Sequence, residues 1–252
     1  MSFITAFKKE WLEQRRTKKL LIALILLTLF GMTSPLLAKL TPQLIALVPG
    51  GDALKGLIPT PTINDAVIQY IKNTAQFGIL LALLFGMSSV AGEKEKGTAA
   101  LVLSKPMPRS IFLLAKFCAL GTTFLLAFLA AGLSCYYYTY VLFGALDPMA
   151  WLILNGLLLL YVLVYVALTL FFSTLTRTQY IAIGGAFGAL IFFGILSSLP
   201  GMNAYLPDGL VTNASMIMSG GQVNGWQSIW VSTAILLAAL GGAILVLRRQ
   251  EI

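Results

Sequence analysis

Residues 148–176 read PMAWLILNGLLLLYVLVYVALTLFFSTLT, a stretch of 29 residues without Asp, Glu, Lys, Arg or His. A helix needs about 20 apolar residues to cross the hydrocarbon core of a bilayer. A charged side chain at the centre of such a helix costs roughly 2.5 to 3.5 kcal/mol. The stretch therefore predicts a membrane-spanning helix.

Five more charge-free runs of similar length occur along the chain. Only 10% of its 252 residues are charged and 58% are hydrophobic, whereas ordinary soluble domains are about 25% charged. The sequence therefore predicts an all-α polytopic membrane protein, a single transmembrane domain over 1–252. Trimmed by hydropathy, Pro and Gly, its six transmembrane helices are predicted at 20–37, 75–91, 111–133, 151–172, 180–199 and 229–247.

The distribution of charge predicts the orientation of these helices. If both termini are cytoplasmic, 14 of the 17 Lys and Arg residues lie inside, as the positive-inside rule requires. We therefore expect a multi-pass protein of the cell membrane with both termini in the cytoplasm. The net charge of +8 then reflects topology and contact with anionic lipid, and we expect no nucleic-acid partner.

Segments outside the spans have patterns of their own. Phe3, Phe7 and Trp11 recur at helical spacing within 1–19, which predicts an amphipathic helix in the membrane interface; a solvated basic tail is the alternative. The outer loop 39–72 is rich in Pro and Gly, so its first part is expected to be irregular, with a short helix from Asn64. Segment 201–228, polar but nearly uncharged, is expected to re-enter or cap the bundle.

The residue types exclude several activities. The chain has no histidine, and no acidic residue falls inside a predicted span. Intramembrane metalloproteases and Ser-His proteases would lack ligands or a base, and a proton-driven carrier is disfavoured. We expect no catalytic, cofactor or metal site in this chain. Asn155, the most polar side chain near a helix interior, is interpreted as an interhelical hydrogen-bonding group.

Small residues cluster in the fifth predicted span. Gly184 and Gly188 stand one turn apart, so their backbones can closely approach another helix. The partner helix belongs either to the same subunit or to a second subunit.

The connection 92–110 concentrates charge. Glu93-Lys94-Glu95-Lys96 follows the second span, Gly97-Thr98 allows a turn, 99–103 is apolar, and 104–109 reads SKPMPR. This pattern predicts a short helix under the membrane, ended by Pro-enforced extended backbone. A solvated positive-inside loop would explain the Lys and Arg residues but not the two glutamates, the apolar run or the two prolines.

These residues, closed by Lys116, resemble the Glu-x-x-x-Gly-Thr…Ser-x-Pro-x-x-Arg…Lys signature of ABC-2 type transporter permeases, especially the short NosY-like branch. The resemblance implies a type V exporter-like fold. It also implies a permease without ATPase activity that pairs with a separate ABC ATPase, which binds ATP and magnesium. Consistent with this, the sequence contains no Gly-x-x-x-x-Gly-Lys-Ser/Thr motif.

The resemblance also implies roles for particular residues. The 92–110 loop would be the coupling helix, with Glu93, Lys94, Glu95 and Lys96 on the ATPase surface. Gly97 and Thr98 would set the turn, Arg109 would anchor the loop end near the membrane, and the N-terminal helix and Arg177 would be secondary contacts. The dimer interface, with an identical or related permease, would lie on the first and fifth spans and so use Gly184 and Gly188.

The predicted function is thus the permease of an ATP-driven exporter. An uncharged path suits an amphipathic peptide or a hydrophobic compound. The alternatives are a non-transporting sensor or assembly scaffold that binds an ATPase or other partner, and a stand-alone channel or carrier.

Overall fold

A computed structural model describes residues 2–46, 60–97, 108–221 and 226–250. In this part of the chain the regular structure is entirely helical. Its helices are α1 (Phe3–Arg16), α2 (Lys19–Ala46), α3 (Ile63–Glu95), α4 (Arg109–Phe143), α5 (Pro148–Leu175), α6 (Gln179–Ser197), α7 (Asp208–Met218) and α8 (Gln227–Arg249). Six of these, α2 to α6 and α8, are long and apolar enough to cross a membrane, which confirms the predicted fold class.

Three helices, α2, α3 and α4, extend well beyond the lengths assigned from hydropathy. The irregular structure predicted for the start of the first outer loop is wrong for residues 39–46, because α2 continues through Pro35 and Pro42 to Ala46. Residues 47–59 of this loop lie outside the described residues. Prolines are tolerated in membrane helices where neighbouring groups satisfy the freed backbone. The helix predicted from Asn64 is the first part of α3.

α5 lies at the centre of the bundle and packs against α3, α4, α6, α7 and α8. The predicted interhelical role of Asn155 is confirmed, because its Oδ1 accepts from the Tyr70 hydroxyl of α3 at 2.6 Å. Nearer the end of α3, Ser173 Oγ accepts from the amides of Val90 (3.1 Å) and Ala91 (2.8 Å). These bonds fix α3 to α5 along most of their shared length.

Segment 201–221 folds as a cap at one end of the bundle. α7 buries Leu210 and Ala214 and packs mainly against α5. Asp208 Oδ1 accepts from the Tyr161 hydroxyl of α5 at 3.0 Å. Within the described residues 201–221, the expectation of a capping segment is therefore met by a short helix.

The opposite end of the bundle gathers α1, the start of α2, the end of α3, the starts of α4 and α6, and the ends of α5 and α8. We call this the basic end, after Lys9, Lys19, Lys94, Lys116 and Arg109, whose bonds join these elements. α1 meets α2 at Lys18, whose φ of 60° makes the corner between the two helices.

Gly31 of α2 lies at a close contact with α4. A Cβ at this position would collide with the carbonyl oxygen of Ala131 on α4, and a backbone atom cannot move aside as a side-chain end can. We expect Gly31→Ala to lower the free energy of unfolding by about 1 to 3 kcal/mol, the usual cost of overpacking. Denaturant titration of the purified protein measures the change. Gly156→Ala, on α5 with no atom within 4 Å of the added Cβ, is the control and should cost nothing; equal stability of both variants would contradict the close packing.

Candidate functional site

A buried ionic cluster lies at the basic end, where α1, α3 and α4 meet. The Lys116 Nζ lies 2.9 Å from Glu10 Oε2 and 2.7 Å from Glu93 Oε1. The Lys9 Nζ lies 3.0 Å from Glu10 Oε1 and 3.4 Å from Glu93 Oε1. These four residues, Lys9, Glu10, Glu93 and Lys116, form what we call the ionic cluster, which has no net charge.

Burial makes the central cation of this cluster dependent on its partners. The Lys116 side chain is only 2% exposed, and its ammonium lies 4.8 Å from the centre of the Phe112 ring. Removing a charge from water is costly unless a partner and hydrogen bonds compensate. The two carboxylates therefore compensate for the burial of Lys116 as a cation.

Glu10 shows how these interactions compete. Burial raises the pKa of its carboxyl, but the ammonium groups of Lys116 and Lys9 more than offset this and hold the pKa below its ordinary value. The stability that Glu10 contributes is thus present above the ordinary carboxyl pKa and is lost as pH falls through the lower folded-state value.

The ionic cluster joins both ends of the α3–α4 connection to the N-terminal helix. Glu93 lies in the last turn of α3 and Lys116 near the start of α4, whereas Glu10 belongs to α1. A displacement of either end of the connection would therefore act on α1 through these charged contacts.

The residues predicted to face a partner divide into two groups. Glu93 turns inward to Lys116, and the Lys94 Nζ donates to the carbonyl of Thr174 (2.5 Å) and to Gln250 Oε1 (2.7 Å). Glu95 and Lys96 are exposed, although Glu95 Oε2 accepts from Gln179 Nε2 at 3.1 Å.

The predicted turn begins at Gly97, whose φ is +69°, a conformation that glycine adopts without strain. Thr98 and the rest of 98–107 lie outside the described residues. The connection predicted at 92–110 is therefore described at its two ends, where 92–95 still belong to α3 and α4 begins at Arg109.

Arg109 binds the C-terminal end of α8. Its guanidinium donates to the carbonyls of Leu247, Arg248 (3.3 Å) and Gln250 (2.6 Å). These are carbonyls at the end of α8 that have no partner within the helix. Arg109 thus ties the start of α4 to the C-terminal end of α8.

Sequence reasoning did not identify Glu10 as part of this site. The aromatic stripe of α1 suggested its buried face, but the residues most deeply buried are Ala6, Glu10 and Gln14. Phe7 stacks between Phe3 and Trp11, with ring centres 6.4 and 6.3 Å apart, on a partly exposed face. The available signal was a Glu at four-residue spacing from Ala6 and Gln14.

Gly184 and Gly188 lie on an open face of α6. No atom lies within 4 Å of a Cβ built at either position, so neither packs within the described subunit. Gly185, between them, instead packs against the Phe172 ring.

The fold and the basic end define a multi-pass helical membrane protein whose α3–α4 connection is tied at both ends to the bundle. The family model described as ABC-2 family transporter protein matches residues 4–248, and the chain belongs to this family. It is also similar to the uncharacterized transmembrane protein YxlG of Bacillus subtilis (strain 168), with 27% identity over 241 residues and 92% of each chain covered.

Proposed function

We propose that the chain is the permease subunit of an ATP-driven exporter of the NosY-like branch. Its partner is a separate ABC ATPase that binds ATP and magnesium, and its basic end faces the cytoplasm. Membership of the ABC-2 transporter family supports a permease. The ionic cluster is the observation that supports coupling between the ATPase and the permease, because it links the α3–α4 connection to both α1 and α4.

In this proposal the ATPase binds the connection between α3 and α4. Exposed Glu95 and Lys96 contact the ATPase, while Glu93 and Lys94 act inside the permease. Closure of the ATPase subunits moves the connection, and the buried charges pass this displacement to α1, α4 and the end of α5. Mixed charges on the exposed segment give such an interface orientation and specificity.

The proposed substrate is an amphipathic peptide or a hydrophobic compound. The three least buried spans, α2, α6 and α8, carry exposed large apolar side chains such as Ile25, Leu29 and Phe192. An apolar path of this kind favours a substrate that partitions into the membrane.

Co-purification with the ABC ATPases of the same genome tests the coupling surface. We expect one ATPase to bind, and Glu95→Ala/Lys96→Ala to weaken it about tenfold, equivalent to about 1.4 kcal/mol. The control is Arg249→Ala, an exposed charge at the basic end on α8. ATP-dependent uptake of a hydrophobic dye and an amphipathic peptide into inverted vesicles measures transport.

The outcomes separate the candidate functions. Association with ATP-dependent uptake supports the exporter, whereas association without uptake of any tested compound favours a sensor or scaffold. If no ATPase binds, the exporter proposal is contradicted. If the double variant binds as well as Arg249→Ala, the coupling surface is elsewhere.

A further inference from the structure

A second polar feature of the basic end is a cavity of about 390 Å³. It lies between α1, the start of α2, the end of α3 and the start of α6. Its lining includes Lys9, Glu13, Lys19, Ser88, Lys96 and Gln179. The cavity therefore sits where the first residues of two spans meet the end of a third.

Lys19 is the distinctive cation of this cavity. Its Nζ donates to Ser88 Oγ at 2.8 Å and to the carbonyl of Phe85 at 3.5 Å. It also lies 5.9 Å from the centre of the Phe85 ring. Among the described residues it has no carboxylate within 4.0 Å, although it is half-buried. The local groups thus hold the ammonium in place without neutralising it.

The charges around the cavity leave a positive excess. The ionic cluster is neutral within itself, so Lys9 and Glu93 are already compensated. Of the other charged groups in the lining, Lys19 and Lys96 are cationic and Glu13 is anionic. An anion in the cavity would complement this excess, and a hydroxyl on the same ligand could donate to Glu13.

The surroundings favour a lipid anion over a soluble one. Leu80 and Leu84 precede Ser88 on α3 at four-residue spacing, which places all three on one helix face, and both leucines are exposed. Ile22 and Ile25, which follow Lys19 on α2, are also exposed. Apolar surface for acyl chains therefore continues from the polar cavity along both helices.

We propose that this cavity binds the phosphate of an anionic phospholipid from the adjoining leaflet, with Lys19 and Ser88 on the phosphate and Glu13 on a headgroup hydroxyl. All these groups belong to one chain, so the site needs neither an ATPase nor a second subunit. Its test is therefore independent of the proposed function.

Native mass spectrometry of the full-length protein in detergent, with phosphatidylglycerol or phosphatidylcholine added, measures the binding. We expect phosphatidylglycerol to bind about five- to tenfold more tightly, since charge-assisted hydrogen bonds to phosphate are the stronger kind. Lys19→Gln keeps a hydrogen-bonding side chain but removes the charge, and it should abolish the preference. Lys39→Gln, at the other end of α2 and bonded to the carbonyl of Leu142, should retain it.

A second variant tests the cavity independently, in case Lys19→Gln does not fold. Ser88→Leu fills the cavity without removing a charge, and it should also lower phosphatidylglycerol binding while phosphatidylcholine binding stays the same. Equal binding of the two lipids by the wild-type protein would overturn the proposal, as would an unchanged preference in Lys19→Gln. Displacement of phosphatidylglycerol by millimolar inorganic phosphate would assign the site to a soluble anion instead.

Discussion

Replacing Lys116 with Met is expected to lower the free energy of unfolding by about 3 to 5 kcal/mol, the usual cost of removing one partner from a buried ion pair. The substitution leaves the carboxylates of Glu10 and Glu93 close together without the central cation. Thermal and denaturant unfolding of the purified protein measure the loss. Lys8→Met, an exposed lysine of α1, is the control and should change stability by less than about 0.5 kcal/mol.

A combined variant separates the charge from the packing of the lysine side chain. Adding Glu10→Gln and Glu93→Gln to Lys116→Met removes all the charges that Lys116 compensates, so much of the lost stability should return. The wild-type protein should also become less stable as pH falls through the folded-state pKa of Glu10. If Lys116→Met is as stable as Lys8→Met, the ionic cluster does not hold α1 to the bundle.

Charge-free runs were sufficient to locate the spanning helices, because each charged residue within a span adds its own cost of transfer into the membrane. They were poor guides to where each helix ends. Asn64 and Asp65 lie in the first turn of α3, where the Asp65 carboxylate accepts from the Thr62 amide at 2.8 Å. A hydropathy pattern predicts that a helix ends where polar residues begin. The helix itself continues as long as its backbone hydrogen bonds are satisfied.

The ionic cluster shows what local patterns cannot supply. Its contacts join residues 106 and 23 positions apart, Glu10 and Glu93 with Lys116. Helical spacing shows which side chains share a face but not which helix that face meets. The charges at 93–96 were therefore all expected on the partner surface, although Glu93 and Lys94 bind inside the chain. The cytoplasmic orientation stays a prediction from charge distribution.

The open face of α6 predicts a second large effect, loss of the permease dimer that the family resemblance implies. Gly184 and Gly188 touch nothing within the subunit, and Phe187 and Ile191 beside them are exposed. Of the six candidate spans among the described residues, α6 is the least buried. Small residues allow two helices to approach until their backbones touch, so this face suits a second copy of the chain or a related permease.

Gly188→Leu should leave the subunit folded, because its side chain enters open space, but it should separate the two helices in a dimer. We expect the dissociation constant of the dimer to rise more than tenfold, a change of over about 1.4 kcal/mol in the free energy of association. ATP-dependent uptake should fall as the dimer is lost. Native mass spectrometry and cysteine crosslinking across α6 measure the dimer. Gly156→Leu adds the same side chain on an open face of α5 and should leave the dimer intact. An intact dimer in both variants would indicate that α6 faces lipid and that the subunits meet elsewhere. Loss of the dimer in both variants would show that the effect is not specific to the α6 face.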